Sequence, residues 1–286
     1  MDFATPAPEP ILSHALSTDT TRLLGLTAIR RAAGTVPCGA VELDLRHRWW
    51  AGEAGRFDPD AVDVPIAAVW LPPLPSEPGP ERTRWAVLTE RVANEWRPAK
   101  VVVELPRGDI DHRVGRMVGD LFTFFGDIGS DRSRLAVGIP TADLHGGRTN
   151  LVQLRALRRF TEEWEVDVAV DVSGQLDQQW EAEAGIARLG HRLTLIRVPG
   201  DALLPVPVGR PRVAMRALHA ALDPQWPLCV SVVPRVPLWS RTAPAVVARA
   251  YAEAAARLEE RVRQRRVELP LDMREPRHGQ RLHPPA

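Results

Sequence analysis

The sequence predicts a single (β/α)₈ barrel, and two observations carry that prediction. Eight short apolar runs recur along the chain: ILSHALS, GAVELDL, IAAVWLP, KVVVELP, RLAVGIP, VDVAVDV, LTLIRVP and PLCVSVV. Each is followed by a stretch of helix length, and such alternation builds βαβ units on a parallel sheet. The chain has 286 residues, which suits one barrel of about 250 residues with short tails and requires no second domain.

Taken in order, residues 1–10 form a proline-rich arm, residues 11–265 the barrel and residues 266–286 a tail. The first strand is expected from Ile11 to Ser17, followed by a helix from Asp19 to Ala33 that Gly34 ends. The second strand, Ala40 to Leu45, alternates Val41, Leu43 and Leu45 with Glu42 and Asp44, so the two carboxylates point opposite to the apolar set. If the apolar set meets the outer helices, both acids face the barrel interior. Residues 46–63 show no helical period. The third strand, Ile66 to Leu71, leads into the stiff loop PPLPSEPGP, since proline fixes φ.

A helix from Glu81 to Trp96, a strand from Val101 to Leu105 and a helix from Ile110 to Phe125 come next. The fifth strand is Leu135 to Ile139, with the polar loop PTADLHGGRTN and a helix from Leu151 to Trp164 after it. The sixth unit is Asp167 to Val172 with a helix from Gln178 to Leu189. The seventh strand is Leu193 to Val198, and its helix ends at Leu222. The eighth strand starts at Leu228, and an alanine-rich amphipathic helix from Pro244 to about Arg263 closes the barrel.

Composition narrows the function. A net charge of +1 gives no basic footprint for nucleic acid, and no apolar run reaches the roughly 20 residues of a membrane span. The first residues lack a secretion signal, so a cytoplasmic location is expected. Cys38 and Cys229 supply neither a disulfide framework nor a zinc cluster and read as buried thiols. Lys100 is the only lysine, and it opens its strand, away from the C-terminal face where barrel active sites lie. Schiff-base and pyridoxal-phosphate chemistry are therefore excluded, because arginine cannot replace that amine. No GxSxG, Walker A, HExxH or paired CxxC motif occurs.

The chemistry must then come from polar residues at the strand ends. Glu42, Asp44, Glu104 and Asp171, inward-facing near strand ends, are the candidate catalytic carboxylates; Glu42 and Asp44 share one strand face, where two like charges push one pKa upward and prepare an acid and a base. The competing reading is a buried network in which Arg46, Arg107 or Arg197 neutralises them. His145 and Arg148, beside Gly146 and Gly147, are candidates for binding an anion through backbone amides and a guanidinium; glycine-rich turns also serve as plain connectors. Trp70 is a candidate for stacking on a sugar ring, and Arg197 for clamping a substrate anion or, alternatively, for filling the interior with a salt bridge.

From the fifth strand to the eighth, LAVGIPTADLHGGRTNLVQLRALRRFTEEWEVDVAVDVSG, LGHRLTLIRVPGD and PLCVSVVP resemble the xylose isomerase-like TIM barrels, a superfamily of sugar phosphate isomerases and epimerases. The resemblance implies a divalent metal held by glutamates, an aspartate and histidines, with a carboxylate moving the proton. Asp171 matches the family aspartate. Gly138, Gly174, Arg197, and Ser231 or Val233 stand where other ligands are expected, so no metal site and no cofactor are assigned. The expected partner is a small molecule, a sugar or sugar phosphate. Two functions remain open: a metal-free isomerase or epimerase, and a catalytically silent relative that binds a ligand or partner at the same mouth.

Overall fold

In a computed structural model, eight parallel strands pair in chain order and the eighth returns to the first, closing a barrel. The structure describes residues 12–17, 39–46, 59, 64–75, 77–105, 112–139, 158–172, 189–200, 228–234, 236 and 243–268. The strands are β1 (Leu12–Ser17), β2 (Ala40–Asp44), β3 (Ile66–Leu71), β4 (Lys100–Glu104), β5 (Leu135–Ile139), β6 (Asp167–Asp171), β7 (Leu193–Pro199) and β8 (Leu228–Val233). All eight runs seen in the sequence are strands of this one sheet.

Two-residue alternation sorts the side chains into two cores. Val41, Leu43, Val69, Leu71, Val101, Val103, Val168 and Val170 belong to the outer core shared with the helices. The inner core consists of Ala68, Trp70, Val102, Ala136, Ala169 and Leu195, with Cys229 packed against it. Three of those six are alanines, and their small volume accommodates the Trp70 ring inside the barrel.

The helix after β3 is α1 (Pro80–Arg91). Proline at its first position suits a site where the N–H would be unsatisfied anyway. Trp85 anchors α1 through Nε1, which donates to the Pro72 carbonyl at 2.8 Å. Where the sequence suggests one helix to Trp96, the final turn is a π-helix, Val92–Trp96. It stops at Arg97, whose φ of 49° is left-handed; its N–H donates back to Val92, and its Nε to the Asn94 carbonyl. The next helix is α2 (His112–Asp127), and residues 158–163 are also helical.

The closing helix, α3 (Pro244–Glu268), passes the expected end at Arg263 and takes in the start of the expected tail. The sequence ARLEERVRQRRVE contains good helix formers and no glycine or proline, so nothing stops it. No helix among the described residues is long and apolar enough to cross a membrane. Cys229 is partly buried. Cys38, the arm, the expected helices before β2 and after β6 and β7, and most of the helix before β6 lie outside the described residues.

Candidate functional site

The register of the strands brings the polar residues to one level of the barrel. Ser17 lies opposite Glu42, Asp44 opposite Trp70, Glu104 opposite Gly138, and Asp171 opposite both Arg197 and, through it, Ser231. Three backbone bonds carry the ladder past the strand ends: Leu45 N–H to Trp70, Leu105 N–H to Gly138 and Val172 N–H to Arg197, at 2.8–2.9 Å. The carboxylates of β2, β4 and β6 are thus fixed from behind by their own strands.

Arg197 is the centre of this level. It is fully buried, and one terminal nitrogen donates to Asp44 at 2.7 Å and Asp171 at 3.0 Å, while the other donates to Glu42. Ser17 also donates to Glu42, at 3.1 Å. Above it lies a second guanidinium. Arg46, 18% exposed, donates to both oxygens of Asp44 at 3.0 and 2.7 Å and to Asp171 at 2.9 Å, and lies 3.5 Å from Glu104. The Arg46 backbone N–H also donates to Asp44. Both guanidinium carbons sit close to the Trp70 ring, 4.5 and 4.7 Å from its centroid.

Charge states follow from these contacts. Burial raises the Asp44 pKa, yet the opposing pull of Arg197 and the bonds from Arg46 hold it well below the ordinary carboxylate range. Burial lowers the pKa of Arg197, but Glu42, Asp44 and Asp171 outweigh it and drive the value well above the usual one. Arg46 also rises, despite burial and repulsion from Arg197, because Asp44 and Asp171 hold its proton. Asp44, Arg46 and Arg197 are therefore charged at neutral pH.

Of the residues singled out by sequence, Glu42, Asp44, Glu104, Asp171, Arg197 and Trp70 all meet here, and His145, Arg148 and Gly174 lie outside the described residues. Trp70 is completely buried, so its ring serves the two arginines and the inner core. Sequence reasoning named Arg46 only as a neutralising partner in the competing reading, and missed Ser17. The signal for Arg46 was the Asp-Leu-Arg spacing at the end of β2, which lets a guanidinium fold back on the acid two residues earlier.

A divalent ion, which the sequence resemblance implies, does not fit these residues. Glu42, Asp44 and Asp171 each already accept from a guanidinium group, and a further positive centre among them would be repelled. The β5 position could not supply a ligand either. A Cβ on Gly138 would stand 2.6 Å from Cζ3 of Trp70 and 3.0 Å from Cγ1 of Val102. Among the described residues, no group of three or more His, Cys, Asp or Glu side chains is arranged to hold a metal.

No protein-family model matches the sequence, and no curated protein matches it. Solved structures do match its fold. A D-allulose 3-epimerase from Methylomonas sp. shares 11% identity over 90% of this chain and 100% of that chain, with a TM-score of 0.55. A xylose isomerase domain protein from Planctomyces limnophilus shares 12% over 92% and 100%, with a TM-score of 0.51. The IolI protein, solved with a binding zinc atom, shares 10% over 85% and 96%, with a TM-score of 0.56. At such identities the likeness is one of architecture: the chain shares the (β/α)₈ barrel fold of these proteins.

Proposed function

We propose that this chain is a metal-free barrel that binds a small polar molecule, a sugar or sugar phosphate, at its C-terminal mouth without turning it over. Arg197 carries this reading. A fully buried guanidinium that donates to Glu42, Asp44 and Asp171 commits those acids to an internal ion cluster. An acid whose pKa is pushed far below neutral is a weak base, because efficient proton transfer needs a pKa near the working pH. Asp44 is such an acid. The ligand is then read from above the cluster, with His145 and Arg148 of the β5 loop as its anion contacts on sequence grounds.

One observation favours a second reading, a metal-free isomerase or epimerase. The Glu104 side chain is 18% exposed and faces Arg46, so a carboxylate at the mouth has solvent access and a neighbouring guanidinium to steady a developing enediolate. The two are separated by incubating the protein with ketoses, aldoses and their phosphates in D₂O, with calorimetric binding run in parallel. Saturable binding without deuterium entering the carbon next to the carbonyl is the expected result. Deuterium incorporation that Glu104→Gln abolishes would replace the binding reading with the enzymatic one.

A further inference from the structure

Oε2 of Glu42, Nε of Arg197 and Oγ of Ser231 have no hydrogen-bond partner among the described residues. All three side chains are fully buried. Their strands lie on one side of the barrel, β7 beside β8 and β2 one strand further on across β1: Arg197 is in register with Ser231, Ser231 with Ala15, and Ser17 with Glu42. Ser231 shares the inward face of β8 with Cys229, which packs on the inner core. The inward residues of β8 and β1, Ser231, Ala15 and Ser17, are small, whereas the bulky Trp70 is carried by β3, away from them.

The three atoms complement one another chemically. Arg197 Nε only donates, a carboxylate oxygen only accepts, and the serine hydroxyl does both. Polar atoms this deeply buried are nearly always paired in folded proteins. A metal ion cannot accept from Nε, ammonium has no lone pair for it, and chloride cannot donate to Glu42. A neutral molecule that donates and accepts satisfies all three.

We propose that one water molecule is held here, accepting from Arg197 Nε, donating to Glu42 Oε2 and bonding to Ser231 Oγ. Three partners are what a buried structural water typically makes. With the direct bond from Arg197 to the other Glu42 oxygen, the water closes a ring that fixes the guanidinium plane. The remaining terminal nitrogen is thereby aimed at Asp44 and Asp171. Because the ring lies beneath Arg46, it is independent of whether the mouth binds or transforms a ligand.

A crystal structure of the full chain near atomic resolution tests the proposal, together with oxygen-17 relaxation dispersion to count long-lived internal waters in wild type and Ser231→Val. One fully occupied solvent peak within about 3.2 Å of the three atoms, and a count lower by one in the variant, are expected. An Arg197 Nε that pairs directly with Glu42 Oε2, an anomalous signal from an ion at the peak, or an unchanged count overturns it. Should Ser231→Val fail to fold, the wild-type density decides alone.

Discussion

A positive charge buried inside a barrel survives only if its neighbours are anions and stay so. Arg197 meets that condition through Glu42, Asp44 and Asp171, and removing one side of such a cluster is far costlier than never building it, about 3–5 kcal/mol. Arg197→Ala is expected to lose that much stability in urea unfolding. Manganese ions should restore part of the loss in the variant, by supplying the missing charge, and leave wild type unchanged. Stoichiometric metal in purified wild type would contradict the assignment. The inward aim of Glu42, Asp44 and Arg197 was legible in the sequence because strand alternation dictates it. The choice between acid/base pair and ion cluster was not, since it depends on distances across the barrel axis. Arg46 illustrates the difference: its nearness to Asp44 is local, but its bond to Asp171 spans 125 residues.

At the level of elements, β3 and β5 interact without being neighbours. Trp70 crosses the interior and rests where a side chain on residue 138 would stand, within 2.6 Å of an added Cβ. Because β5 must pack that ring, its glycine is a steric requirement of β3. Gly138→Ala is expected to cost about 1–3 kcal/mol through overpacking, seen as a lower thermal midpoint. Pairing the change with Trp70→Leu should recover much of it, and simple additivity of the two would count against the contact. The strands themselves were plain in the sequence, as four to seven apolar residues bounded by turn signals. The π-turn at Val92–Trp96 and the extension of α3 to Glu268 were not, because helix ends depend on packing and on residual pairing more than on pattern.

For the whole molecule, the depressed pKa of Asp44 sets a pH dependence. An acid whose folded pKa lies below its unfolded value stabilises the fold fully above the unfolded value, near pH 3.9, by about as much as its shift allows. That contribution is lost as pH falls from about 4 toward the folded pKa. Acid unfolding should therefore steepen below about pH 4, and Asp44→Asn, less stable at neutral pH, should show a shallower decline of the urea midpoint across that interval. An equal slope in both proteins would remove Asp44 from the account.

The other end of the barrel has a consequence of its own. Lys100 opens β4, where its amine is tied to Asp167 and to the Ser133 carbonyl, and the chain contains no second lysine. A protease that cuts only after lysine therefore meets a single bond, at the head of a strand hydrogen-bonded on both sides. Cleavage there would require β4 to leave the sheet, which makes one natural residue a built-in recorder of how often the closed ring comes open.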